Sequence, residues 1–438
     1  MENLISNFWN KNKIILKSFL IGILSLLLLI PTLFIQSLVS ERKERQQEAL
    51  TEISSRWAGS QTVTGPVIGV PYMATVTENN NTHPTKLWAY FLPGHLNVTS
   101  KIVPERRYRG IYQAIVYTTE LQINGSFDSL AVSELGLARE SLLWNEATVF
   151  LNIGDVQGLK EETYLQFKGA GGDNKVVLNA AGQSTEQFKT ALSATLPAWV
   201  TSNNGPVGFS AVVSLKGTGD LLFVPVGRET KVEAVSSWPN PSFTGSVLPD
   251  LRSVRDSGFV ASWKVLALNR KYPQQWKGDT YDLNNSAFGV DLIVPVDAYQ
   301  QTTRTVKYAI LIIILTFTSF FLIEWIYNRP IHSLQYLLVG FALCIFYTLL
   351  LSLSEYLGFN TAYGIAAVAT IGLIGWYVGS MLRSSRMSLF IVFLLVVQYA
   401  FVFTLIQLQD YALLMGSIGL FLTLAVVMYF SRKIKWNS

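Results

Sequence analysis

Cysteine is almost absent. Cys344 stands alone, so no intramolecular disulfide can form and no cysteine-based zinc site can be built. Histidine is nearly as scarce. His83, His95 and His332 are too few and too scattered for a histidine-rich metal site. Charge is thin as well: 14% of the 438 residues are Asp, Glu, Lys or Arg. A soluble domain carries about 25%, and the gap argues against a simple cytosolic enzyme. The chain has no P-loop, no HExxH, no GxSxG elbow and no Rossmann GxGxxG. It has no fixed-period repeat, and its low complexity is confined to Asn79-Asn80-Asn81. Composition also excludes collagen-like, coiled-coil and disordered classes. No cofactor is implied.

What is present is apolar length. Half of the residues are hydrophobic, and they are gathered into runs. A hydrocarbon core of about 30 Å needs roughly 20 apolar residues in a helix. Six runs qualify: Phe19 to Leu38, Tyr308 to Ile326, Leu334 to Leu353, Thr361 to Leu382, Leu389 to Leu408 and Tyr411 to Phe430. The first contains Pro31, which a membrane helix tolerates where neighbouring groups satisfy the freed carbonyl. Its apolar stretch exceeds a signal-peptide core, and no small-x-small cleavage site follows, so it reads as an uncleaved anchor.

The basic residues set the expected orientation. Lys11, Lys13, Lys17, Arg329, Arg383, Arg386, Arg432, Lys433 and Lys435 all fall on one side of a six-span layout. The short loops opposite carry Glu355 and Asp410. Both termini are therefore expected in the cytoplasm. Residues 41–305 hold 24 basic and 25 acidic side chains, so the pI near 9.0 comes from the membrane segments and their flanks. That balance speaks against nucleic acid as a partner, which needs a clustered basic face. Arg42, Lys43, Arg45, Arg304 and Lys307 flank the long segment, and long segments cross largely regardless of charge.

The domain plan follows. Residues 1–40 form a cytoplasmic tail and first helix, 41–305 an extracytoplasmic β-rich domain, 306–431 a five-helix block and 432–438 a basic tail. Segment 41–305 opens with a polar helix, Glu41 to Trp57. Short runs then alternate between Gly, Pro, Asn and Asp, as in a sandwich or barrel-like β fold. They include VTGPVIGVPY (63–72), RGIYQAIVYTTELQINGS (109–126) and GFSAVVSLKGTGDLLFVPV (208–226). The last reads as two strands about a hairpin turn at Gly217-Thr218-Gly219-Asp220, in preference to a phosphate loop. Thr185 to Leu196 reads as one helix. The number of lobes stays open.

Four residues are candidate functional positions. Ionisable groups inside membrane helices are functional by default, which singles out Glu324 and Glu355. They lie near opposite faces, so a direct pair is not expected; Glu324 is placed near Arg329 or His332. Gln335, Tyr336 and Gln398 are the other polar positions. In SSWPNPSFTGSVLPD (236–250), Trp238, Pro239, Pro241, Phe243 and Pro249 are expected to make a stiff aromatic loop. It reads as a packed cap or, alternatively, as a docking surface. His83 and His95 read as surface or packing residues. In span four, Gly375 and Gly379 make a GxxxG, expected to pack within the chain. Trp325, Tyr327, Tyr411 and Trp436 fit interface belts.

The arrangement resembles the CreD family of bacterial inner-membrane proteins. The segments that carry the resemblance are RTVKYAILIIILTFTSFFLIE (304–324), QYLLVGFALCIFYTLLLSLSEYLGF (335–359), SLKGTGDLLFVPVGRE (214–229), SSWPNPSFTGSVLPD (236–250), GFVASWKVLALNR (258–270), VTGPVIGVPY (63–72) and RGIYQAIVY (109–117). The resemblance implies a protein of envelope integrity and of the response to cell-wall damage, including β-lactams. It carries over no catalytic residues. The expected activity is non-enzymatic: the periplasmic domain binds an envelope or cell-wall protein, a glycan or a lipid. The alternative is a transporter or lipid-handling protein that works through the five-helix block.

Overall fold

The computed structural model describes residues 13–431, apart from 79–80, 170–171, 181, 184, 203–204, 294–297, 328–329, 383 and 409–410. The expected topology charges Lys11, Arg329, Arg383, Asp410, Arg432, Lys433 and Lys435 lie outside the described residues, as do Trp436 and the side chains of Lys13, Trp325 and Tyr327. Two compact units are present. One is Glu48–Pro295; the other joins Met1–Gln47 to Val296–Ser438.

The helical unit begins with α1, Lys13–Leu27, and α2, Leu29–Trp57. Pro31 explains the break at Leu28, because its ring clashes with the carbonyl four residues earlier and supplies no N–H. The polar segment expected as a separate short helix is the uninterrupted continuation of α2 to Trp57. After α3 (Ala198–Ser202), a single short turn in the β unit, come α4 (Ala298–Lys307) and α5 (Ala309–Tyr327). These two are bent by 41° at Tyr308. Then follow α6 (Ser333–Leu357), α7 (Phe359–Leu382), α8 (Ser385–Gln407) and α9 (Ala412–Ser431). Among the described residues, four helices are long and apolar enough to cross a bilayer, and the bent pair makes a fifth. The sixth expected span coincides with α9, several of whose side chains lie outside the described residues.

Helix packing in this unit depends on small residues. A Cβ on Gly340 would lie 2.2 Å from Leu28 Cδ1, so the first helix can only touch α6 there because the side chain is a hydrogen. One on Gly375 would lie 2.7 Å from Val392 Cγ2, and the Ser388 hydroxyl donates to the Gly375 carbonyl at 3.1 Å. The GxxxG thus seats α7 on α8 within the chain, as expected.

Among the described residues the β unit carries sixteen strands in two mixed sheets of eight. In chain order they are β1 (Gln61–Glu78), β2 (Asn81–Phe91), β3 (His95–Arg109), β4 (Tyr112–Phe127), β5 (Thr148–Ile153), β6 (Tyr164–Gly169), β7 (Gly172–Val177), β8 (Leu192–Thr195), β9 (Val207–Thr218), β10 (Asp220–Phe223), β11 (Glu229–Ser236), β12 (Pro241–Gly245), β13 (Leu251–Arg255), β14 (Gly258–Leu266), β15 (Gln275–Lys277) and β16 (Phe288–Leu292). One sheet runs β12-β16-β10-β1-β2-β15, with β5 added to β1 and β8 to β5. The other runs β13-β14-β11-β3-β4-β9-β6-β7. Period-two alternation dictates the inner faces. Leu96, Val98 and Ile102 of β3 are buried while His95, Asn97, Thr99 and Lys101 are exposed. Aromatic rings join the sheets: Phe243 of β12 lies 5.8 Å from Phe259 and 5.9 Å from Trp263 of β14, and Trp263 lies 5.7 Å from Phe288 of β16. One continuous apolar core results, and the fold is a sandwich.

Three local expectations change. The Gly217–Asp220 turn is not a hairpin, because β9 and β10 belong to different sheets. Gly219, at φ 70°, turns the chain from one layer into the other. Thr185 to Leu196 is not a helix: Leu192–Thr195 pairs with β5, and Phe188 stacks on Phe150 at 5.2 Å. Tertiary pairing overrides the helical propensity there. Segment 236–250 is not a loop throughout, since Pro241–Gly245 is the edge strand β12, starting at the proline as an edge strand permits.

Candidate functional site

Among the described residues two ion-paired ties join helices of the helical unit, and both involve the first span. Lys17 of α1 ion-pairs with Glu324 of α5 and donates to the Ile331 carbonyl at 2.8 Å. The Tyr336 hydroxyl of α6 donates to the other oxygen of Glu324 at 3.1 Å. The partner of Glu324 is therefore Lys17, not His332. The His332 ring instead caps its own helix, accepting from the Leu334 N–H at 3.2 Å. Arg329 lies outside the described residues.

The second tie gathers Arg42 of α2, Tyr299 of α4 and Glu355 of α6. The Tyr299 hydroxyl donates to Glu355 at 3.0 Å, and the Arg42 guanidinium stands at 3.8 Å. The Glu355 side chain is 8% exposed and that of Glu324 13%, too buried for either to stand without a counter-charge.

Tyr336 and Glu355 lie on one helix, nineteen positions apart. At about 1.5 Å per residue that is about 28 Å, close to a hydrocarbon core. The two carboxylates thus sit at opposite ends of α6 and form no pair, as expected. The same geometry fixes helix direction. Lys17, Glu324 and Tyr336 share one level, and Arg42, Tyr299 and Glu355 the other. The first span and α6 run one way and the α4–α5 pair runs back. Between the levels the polar contacts are neutral: Thr316 donates to the Gln398 side chain at 3.1 Å, and the Tyr363 hydroxyl donates to the Tyr399 carbonyl at 2.8 Å.

In the β unit, Trp238 is 5% exposed, and its indole N–H is shared between the carbonyls of Asn240 and Ile293, each at 3.1 Å. Phe243 turns inward onto Phe259 and Trp263. Both rings pack into the sandwich, Trp238 buried and Phe243 half-buried. His83 and His95 are exposed on β2 and β3. Among the described residues no three His, Cys, Asp or Glu side chains are grouped to hold a metal ion.

One titratable pair escaped the sequence reading. Asp220 of β10 and Asp291 of β16 are directly opposite in register, which places their Cβ atoms about 5 Å apart on one face. Burial, and then the charge of Asp220, push the Asp291 carboxyl up to about 6. Burial also raises Asp220, opposed by a hydrogen bond from the Ser60 hydroxyl at 3.4 Å. The pair can hold a proton near neutral pH. Seventy positions separate the two in the chain, so no local pattern announces them. Tyr336 stood among the polar positions of the sequence, but Lys17, Arg42 and Tyr299 escaped as partners for a similar reason: as single flanking residues they carry no signal until their carboxylates are placed.

Comparison with known proteins agrees with this architecture. The family model described as inner membrane protein CreD matches residues 13–437. The inner membrane protein CreD of Escherichia coli (strain K12) is 33% identical over 419 residues, covering 94% of this chain and 91% of that protein.

Proposed function

Because the chain belongs to the CreD family of inner membrane proteins, we propose that it supports the integrity of the cell envelope and the response to cell-wall damage. Its termini face the cytoplasm and its β unit faces the periplasm. The one-sided Lys and Arg of the short segments and the alternating direction of the first three spans support that orientation.

The β unit acts by binding an envelope component rather than by catalysis. The observation that carries this reading is where the ionisable groups of the helical unit lie. Glu324 and Glu355 are engaged at the two ends of α6 by Lys17, Tyr336, Arg42 and Tyr299. A charge-coupled carrier would use such groups near the bilayer centre. Here they fasten the first helix to the rest, which leaves the large β unit to do the recognising.

Complementation under β-lactam stress tests the reading. A strain lacking the protein would receive the wild-type chain or the Glu324→Gln/Glu355→Gln variant, each checked for insertion. Restored tolerance by both fits binding by the β unit. An inserted variant that restores nothing would move the activity into the helices and favour transport or lipid handling.

A further inference from the structure

The last turns of α2 and the β3–β4 hairpin enclose a cleft within the β unit, lined by Glu52, Arg56, Trp57, Arg107, Tyr108 and Arg109. The Trp57 ring is its floor. The indole N–H donates to the Tyr117 carbonyl at 3.4 Å, which fixes the ring in place. Two cations rest on that ring: the Arg107 guanidinium at 4.9 Å and the Lys216 ammonium at 4.8 Å from its centroid. Arg56 and Arg109 lean on the same carboxylate, Glu52, at 2.8 and 2.9 Å. Arg107 also reaches Glu105 at 3.0 Å. Lys216 makes no ion pair with the described residues.

Among the residues that line the cleft three cations thus meet one carboxylate, and Lys216 and Glu105 beside the lining cancel each other. The C-terminal end of α2 supplies only about half a negative charge, which leaves the cleft more than one charge short of neutral. The side chains of Arg56, Arg107 and Arg109 are 72%, 46% and 55% exposed, so their outer N–H groups are open to a ligand. Gathering like charges costs energy. An incoming anion would return it.

We propose that this cleft binds a phosphate-bearing component of the envelope. Guanidinium forks match phosphate oxygens in pairs, a phosphomonoester brings about −1.5 to −2 charges, and Trp57 and Tyr108 give its organic part an aromatic wall. The phosphate could come from a lipid headgroup or from a phosphorylated sugar. The proposal deepens the binding reading above by naming the ligand chemistry.

The test uses the full chain in phosphatidylcholine nanodiscs, titrated by calorimetry with two probes, dihexanoyl phosphatidic acid and glucosamine 1-phosphate. Binding of either probe by the wild type is expected, with the Arg107→Gln/Lys216→Gln variant weaker by about tenfold or more. Binding of both probes marks the phosphate itself as the recognised group, and binding of one assigns the source. Should the double variant unfold, Arg56→Lys/Arg109→Lys replaces it: it keeps the charge, loses the fork, and is expected to weaken binding. Failure of both probes to bind, or equal affinity in a folded variant, would overturn the proposal. The readout is independent of complementation, so a chain that binds phosphate yet restores no tolerance would sink the physiological reading alone.

Discussion

Lys17 has one carboxylate and one carbonyl within reach, and both belong to residues more than 300 positions away. Removing one member of such a half-buried pair leaves the other charged without a partner, which costs more than the pair contributes. Lys17→Met or Glu324→Gln alone should lower stability by about 1–3 kcal/mol, and Lys17→Met/Glu324→Leu by less than the sum. Thermal unfolding in nanodiscs measures this; additive losses would show that the two side chains are not coupled. Asp291 makes the opposite kind of prediction. Its folded pKa, about 6, lies above the ordinary 3.8, so as pH falls through 6 the folded state takes up the proton first. Stability is therefore gained between about pH 6 and pH 4 and withheld at pH 7 and above. The gain should be about 1–2 kcal/mol after allowance for partial exposure. Asp291→Asn should raise the unfolding midpoint at pH 7.5 and flatten the rise seen on acidification to pH 5. A wild type and variant with parallel pH profiles would refute it. Glu324 and Glu355 were legible in the sequence because a carboxylate stands out against an apolar run. Their partners were not, since Lys17 and Arg42 read equally well as ordinary flanking charges.

At the scale of elements, two glycines decide how neighbours meet. Gly65 sits at the shift in register between β1 and β5 with φ 122°, and a Cβ there would lie 2.7 Å from the Phe150 carbonyl. Gly65→Ala should therefore destabilise the sandwich by about 1–3 kcal/mol, read as a lowered midpoint in denaturant; an unchanged midpoint would contradict it. Gly340→Val should push the first helix off α6. The sole cysteine reports this, because Cys344 is buried with its sulfur 3.9 Å from the Leu28 carbonyl. Faster maleimide labelling of Cys344 is expected in the variant than in the wild type. Five of the expected spans, the β-rich class and the strands at 63–72 and 109–126 were legible, since apolar length and two-residue alternation are local. The β9–β10 corner was not, because a two-strand pattern with Gly between looks the same whether the chain turns back or changes layer. Nor was β8, where a helix-like composition yields to pairing with β5. The inward direction of Trp238 and Phe243 was equally hidden, since an aromatic segment looks alike from either side.

For the molecule as a whole, the proposed orientation is open to direct chemical test. Ser257 is exposed in the turn between β13 and β14. A Ser257→Cys chain should react with a membrane-impermeant maleimide in intact spheroplasts, while buried Cys344 stays silent; labelling only after lysis would reverse the topology. The two ties also carry a consequence for biogenesis. Lys17 and Arg42 emerge from the ribosome early, but Glu324 and Glu355 follow about 300 residues later. At about 5–20 residues per second, translation leaves the first helix in the membrane for roughly 15–60 s with both of its charges unanswered. During that interval the newborn chain depends on interfacial water, lipid or the insertion machinery to shelter two cations, and the helix can lock into place only once α6 has been made.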